Sequence, residues 1–348
     1  MQESRARLAL AVLATLAITG CVQTQLIGLV LRTYRMDRAG RFDESLRAVE
    51  EGQAIVDRHF PHETMLSILA TEELAHRYED IADYTRAESL YQRLLEVRER
   101  VKGREHRDTA STLVDLADVY YAMAQYPRAK ELYERALAIR ERALGPEHVD
   151  TGSCLQSLAF VRIVLGDLAE SERMLERLLD IYTKTRGADH ADTASALATL
   201  GLLYAKREEY ARASVLLERA LAIQEKRLEP DDLGLGWSLS MLAWTYSMSG
   251  NASAARPLYE RGLAIYEKSL GTDHPDTGEI AYLFSHDLLL MGDVDAARRI
   301  APQVERARLA ETQTVLAFGS EQQRLLFQLQ RDSYYPATAF GDAETIAT

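Results

Sequence analysis

The feature that most constrains this chain is a phrase that returns every 42 residues. His106-Arg107-Asp108-Thr109 recurs as His148-Val149-Asp150-Thr151, His190-Ala191-Asp192-Thr193 and His274-Pro275-Asp276-Thr277, while the copy at Asp232 departs from it. A fixed period of this size means stacked units, none able to bury its apolar face alone. Such stacks build binding surfaces more readily than active sites.

Within one period, Leu113, Leu116, Ala117 and Tyr120 fall at helical spacing. After a break at Gln125-Tyr126-Pro127, a second stripe runs through Ala129, Tyr133, Ala136, Leu137 and Ile139. Gly145-Pro146 ends it, because glycine suits the left-handed cap and proline cannot continue a helix. Asp108 and Thr109 are helix-capping residue types, so the repeated phrase marks a helix start. Each unit therefore reads as two antiparallel helices. Small residues at Ala117, Ala159, Gly201 and Ala243, and at Ala129, Ser171, Ala213 and Ala255, mark close helix approach. Tyr133, Leu175, Leu217 and Tyr259 fill the opposing gaps.

The spacing of Leu113, Leu116-Ala117, Tyr120, Ala129, Tyr133 and Ala136 resembles a tetratricopeptide repeat. The longer period is similar to the kinesin-light-chain type. So is the phrase Tyr133-Glu134-Arg135-Ala136-Leu137-Ala138-Ile139, which returns at 217–223 and 259–265. The resemblance covers 61–315 and implies an all-α, right-handed solenoid of antiparallel helix pairs. Six units begin near His62, His106, His148, His190, Asp232 and His274, the first two residues longer than the rest. A degenerate unit is expected within the lead segment 21–60, on the strength of Arg41-Phe42-Asp43-Glu44-Ser45.

In that family the first helix of each unit lines a concave surface. The lining residues are those outside the core stripe: Trp237, Ser240 and Trp244, then Asp118, Tyr121, Gln156, Phe160, Tyr282 and His286. They describe an aromatic groove with a few polar groups, suited to a peptide or protein. Kinesin-light-chain-like repeats carry paired asparagines in the first helix. Here those positions hold Val114-Asp115, Gln156-Ser157, Ala198-Thr199, Ser240-Met241 and Tyr282-Leu283, so that family's manner of holding a peptide backbone does not carry over.

The N-terminus has the parts of a secretory signal in 1–20. Arg5 and Arg7 precede an uncharged apolar run, 8–18, which is too short to span a bilayer comfortably. Ile18-Thr19-Gly20-Cys21 resembles a bacterial lipobox, which implies cleavage before Cys21 and lipidation of its thiol. The expected location is the cell envelope, lipid-anchored and facing the periplasm or exterior; the alternative is cytoplasmic. In the C-terminal segment 316–348, Phe318-Gly319-Ser320-Glu321-Gln322-Gln323-Arg324-Leu325-Leu326 resembles the segment joining such repeats to a CHAT protease module. The His/Cys dyad of that module has no counterpart here.

Charge and composition narrow the remaining classes. A formal net charge of -12 argues against nucleic acid, whose phosphates select basic surfaces. Glu131, Arg135 and Arg140 read as solvated helix faces with ion pairs within each helix. Two cysteines allow neither a disulfide framework nor a cysteine-pair zinc motif, and Cys154 reads as a core thiol. The motif histidines stand a full repeat apart, about 10 Å at ordinary helix packing distances. Zinc ligands lie about 2 Å from one ion, so no metal site is expected there. His76 and His286 read as isolated polar lining residues. No nucleophile motif or phosphate-cradling loop is present, so neither catalysis nor a cofactor is expected. The sequence describes a non-catalytic, envelope-tethered scaffold for a peptide or protein. The competing reading is the recognition arm of a CHAT-type protease effector.

Overall fold

The computed structural model describes residues 21–38, 42–81 and 83–318. Residues 1–20, where a signal is expected, and residues 319–326, which hold Ser320 and all but Phe318 of the expected joining segment, fall outside these residues. Fourteen helices and no strand are found among the described residues. They are α1 (Cys21–Arg38), α2 (Phe42–His59), α3 (Met65–Asp80), α4 (Tyr84–Val101), α5 (Arg107–Ala122), α6 (Tyr126–Leu144) and α7 (Val149–Val164). Then follow α8 (Leu168–Thr185), α9 (Ala191–Lys206), α10 (Tyr210–Arg227), α11 (Leu233–Met248), α12 (Ala252–Leu270), α13 (Pro275–Leu290) and α14 (Val294–Phe318). Odd-numbered helices are the first members of helix pairs, and the fold class is the helical solenoid. The chain divides into two compact units, Met1–Ile139 and Arg140–Thr348.

The period is stricter than the motif suggests. Second helices start at Phe42, Tyr84, Tyr126, Leu168, Tyr210, Ala252 and Val294, each 42 residues after the last. First helices from Met65 to Pro275 keep the same step. The first full unit is therefore not two residues longer. Its N-cap is Thr64, whose hydroxyl accepts the Ser67 N–H at 3.3 Å, and His62 merely imitates the motif histidine.

Each motif residue has a structural task. His106, His148, His190 and His274 are themselves the N-caps: ring Nδ1 accepts the N–H two residues on at 3.1–3.2 Å. The aspartate occupies the first turn, where a negative charge suits the helix dipole. The buried threonine reaches back across the loop. Thr109, Thr151 and Thr193 donate to the carbonyls of Gly103, Gly145 and Gly187 at 2.7–2.9 Å. In the divergent copy Asp232 keeps the cap, accepting the Gly234 N–H at 2.8 Å.

The small residues do allow close approach. Ala117, Ala129, Ala159, Ser171, Ala213, Ala243 and Ala255 are fully buried, as are Tyr133, Leu175, Leu217 and Tyr259 opposite them. At Gly201 even a methyl group is too much, since an added Cβ would lie 2.7 Å from Leu217 Cγ. First helices are buried on more than one side. In α9 every residue from Ala196 to Ala205 is buried, as expected of a helix flanked by others.

The charged outer faces carry ion pairs within helices, such as Lys130–Glu134 and Lys184–Asp180, and a second set between successive second helices. Arg135 pairs with Glu99 of the preceding second helix, not with a neighbour one turn away. The same step joins Arg177 to Glu141 at 2.7 Å and Arg261 to Glu225 at 2.5 Å. Arg140 instead donates to the Asp150 carbonyl at 2.7 Å and to Ser153. Such surface pairs each contribute little stability, so their regularity matters for alignment more than for strength.

The turn inside each pair needs one left-handed residue. Gly166, Gly250 and Gly292 supply it, with φ from 78° to 84°, but Ala124 (φ 55°) and Glu208 (φ 62°) hold the same place without glycine. A side chain there costs roughly 1–2 kcal/mol. Glu208→Gly should therefore raise stability by about 0.5–1 kcal/mol after its unfolded-state entropy cost. Gly201→Val should lower it by about 1–3 kcal/mol through overpacking. Urea unfolding of the two variants checks both signs.

Candidate functional site

In the second unit the first helices α7, α9, α11 and α13 lie side by side, each touching the next. Their common face carries most of the sequence-expected lining. Gln156 spans from α7 to α9, its amide donating to Ser195 Oγ at 2.6 Å and Thr199 Oγ1 at 3.1 Å. The Phe160 ring reaches the Trp237 ring of α11, with centroids 6.1 Å apart. Between these helices, α9 carries small side chains at Ser195, Ala198 and Thr199. Trp237 and Trp244 are half-buried, packed on the core cluster that includes Leu202 and Met241. Lys206 Nζ stands 5.2 Å over the Trp244 ring, within cation–π range. Tyr282 and His286 on α13 lie with ring centroids 6.4 Å apart. His286 stands 3.6 Å from Asp287, whose carboxyl is raised above the ordinary range mainly by burial.

Ser240 does not belong to this face. It is fully buried, donates to the Gly236 carbonyl at 2.9 Å, and packs where α11 meets α12. A Cβ on Gly262 would come within 2.6 Å of its hydroxyl. Ser240 is therefore a packing residue of a tight helix crossing. The spacing that joins it to Trp237 and Trp244 is real, but the face is partly covered by α12.

In the first unit the lining positions do something different. Asp118 accepts a hydrogen bond from the buried Tyr133 hydroxyl, so it serves the helix pair. Tyr121 is half-buried and its ring lies 5.4 Å from that of Tyr126. On α3 the same repeat positions are occupied by Glu72, His76 and Glu79, which sit 42 residues before Val114, Asp118 and Tyr121. These three join Asp115 of α5 in a polar cluster. Tyr91 of α4 donates to Glu79 at 2.8 Å and stands 2.6 Å from His76 Nδ1. Arg98 of α4 holds Glu72 at 2.9 Å and donates to Thr112 at 2.6 Å. Burial pushes the Asp115 carboxyl up to about 6; His76 and Arg98 oppose the rise, while Glu72 and Glu79 add to it.

Sequence reading treated His76 as isolated and gave Glu72 no role. Starting the first unit at His62 shifts it by two residues and hides the match of Glu72 to Gln156 and of His76 to Phe160. Starting it at Thr64 restores both.

Cys154 is buried and free. Cys21 opens α1, a helix of 18 residues. No helix among the described residues is long and apolar enough to cross a membrane.

A tetratricopeptide repeat family model matches residues 66–142, 116–163, 153–226 and 205–268, together more than half of the chain. None of the curated proteins matches it. Among solved structures, a putative kinesin light chain from Podosopora anserina with nearly identical TPR-like repeats is 27% identical. That likeness covers 61% of this chain and 99% of the other, with a TM-score of 0.48. A Rap protein complexed with Competence and Sporulation Factor is 14% identical, covering 93% of this chain and 90% of the other, with a TM-score of 0.61. The apo form of RapI is 13% identical, covering 82% and 98%, with a TM-score of 0.63. At these identities the Rap structures agree with this chain in fold.

The Phe160–Trp237 contact gives a direct check of the second-unit face. A double-mutant cycle on Phe160→Ala and Trp237→Ala should show a coupling of about 0.5–1.5 kcal/mol. Zero coupling in denaturant unfolding would separate the two rings.

Proposed function

This chain belongs to the tetratricopeptide repeat family, and from that premise we propose that it is a non-catalytic scaffold that captures a peptide or protein. The observation that carries the reading is the row of half-buried rings on the first helices of the second unit: Phe160, Trp237, Trp244 and Tyr282. Half-buried rings keep their orientation before a partner arrives and still offer an edge to it. Anchors of this type lose little conformational entropy on binding. The Rap protein, alike in fold, is complexed with Competence and Sporulation Factor, which supports a ligand-binding use of such a repeat stack.

The second part of the proposal is tethering. Cys21 follows Ile18-Thr19-Gly20 after an apolar run, and a lipidated Cys21 would hold the repeats at a bacterial envelope with several acyl chains. Intact mass with membrane fractionation tests this in a bacterial host. Loss of the first twenty residues plus acyl chains, abolished by Cys21→Ser, is the expected result. An unprocessed soluble protein contradicts it. That outcome, with a caspase-like reading frame downstream of Thr348, would favour the recognition arm of a CHAT-type effector, which the resemblance of 318–326 suggests.

For capture itself, peptides selected on the purified chain should lose at least tenfold in affinity with Trp244→Ala or Tyr282→Ala. Binding that survives both substitutions places the partner elsewhere. Each variant should keep a cooperative melt, because both rings sit at the edge of the core.

A further inference from the structure

We propose that Glu72, His76 and Asp115 form a site for one divalent cation of the zinc class, held between α3 and α5. Glu72 and His76 stand four residues apart on α3 and so share a helix face. Asp115 comes from α5. One ligand atom from each of the three lies within 4.8 Å of the others. Ligands on one such ion, each about 2.0–2.2 Å from it, are roughly 3–4 Å apart. Side-chain rotation is enough to close that difference.

Three features point to a cation rather than to a self-contained polar core. The first is the histidine tautomer. Tyr91 has one hydroxyl proton and donates it to Glu79. Its oxygen, 2.6 Å from His76 Nδ1, can then only accept, so Nδ1 carries a ring proton. A histidine oriented by a proton-accepting partner on its other nitrogen is the usual arrangement behind a metal ligand. The second is Asp115. It is half-buried, yet its carboxylate makes no hydrogen bond or ion pair with the described residues. A carboxylate partly removed from water needs a compensating charge, and a cation would supply one.

The third is the charge balance. Glu72, Glu79 and Asp115 bring three carboxylates, and Arg98 brings one positive charge bound to Glu72. The carboxylates outnumber the one guanidinium, and a divalent ion among them would offset the excess. Arg98 also donates to Thr112, and its bond to Glu72 is made on one carboxylate oxygen, Oε2. One imidazole with two carboxylates suits zinc, manganese or iron(II) better than calcium or magnesium, which favour all-oxygen sets.

The site is separate from the repeat motif. The motif histidines use Nδ1 to cap their helices. Glu72 and His76 instead stand at the positions that Gln156 and Phe160 hold in the second unit, so the site goes beyond the proposed capture of a partner.

The test is zinc titration of the full chain, stripped with chelator, by competition with a chromophoric chelator. Cobalt(II) substitution follows in visible absorption. One equivalent should bind, with Kd in the micromolar range or tighter, about -8 kcal/mol. His76→Gln and Asp115→Asn should each weaken it at least tenfold while the far-UV dichroism is kept. His148→Ala, a surface histidine 3.8 Å from Asp150, should leave it unchanged. A wild type that takes up no zinc overturns the proposal whatever the variants do. So does binding that both site variants retain, or that His148→Ala removes.

Discussion

Everything in this molecule depends on a helix pair being unable to cover its own apolar surface. Within each compact unit a pair leaves one side open, and the next pair closes it. That is why the 42-residue step is held at every second-helix start from Phe42 to Val294. A single inserted residue in a helix would turn Tyr133 or Leu217 away from the small residues opposite. The loop devices serve the same constraint: a histidine or aspartate cap starts the first helix, and a buried threonine fastens it to the preceding glycine carbonyl.

With the packing positions fixed, the remaining positions on the first helices are free to differ, and they do. One repeat position holds His76, Asp118, Phe160, Leu202, Trp244 and His286 in turn. In the first unit this face is acidic and internally bonded. In the second it is aromatic, with Gln156 linking α7 to α9 and the Phe160 ring reaching Trp237 of α11. A shared scaffold thus presents two chemistries in its two units. The first carries the Glu72, His76 and Asp115 cluster, and the second carries Phe160, Trp237, Trp244 and Tyr282.

The helix pairs and the small-against-large packing were legible because helical spacing and a fixed period overdetermine them. The face was legible in part. Spacing alone placed Trp237, Ser240 and Trp244 together, but it carries no information about which flank of α11 is covered by α12. Ser240 therefore read as lining when it is core. Ion pairs between successive second helices were also hidden. Arg135 reads equally well as a partner for a residue one turn away, and only the stacking brings Glu99 to it. The cluster at Glu72, His76 and Asp115 was lost to a two-residue misregister, since His62 resembles the motif histidine and Thr64 performs its task.

The most direct measurement is site-specific photo-crosslinking in the native host. A photoreactive phenylalanine analogue placed at Phe160 tests the ring-bearing face. The same analogue at Val215, exposed on the second helix α10, serves as the outer-face comparison. The account predicts one discrete protein or peptide adduct from Phe160 and none from Val215. Equal adducts from both positions, or an adduct from Val215 alone, would contradict it.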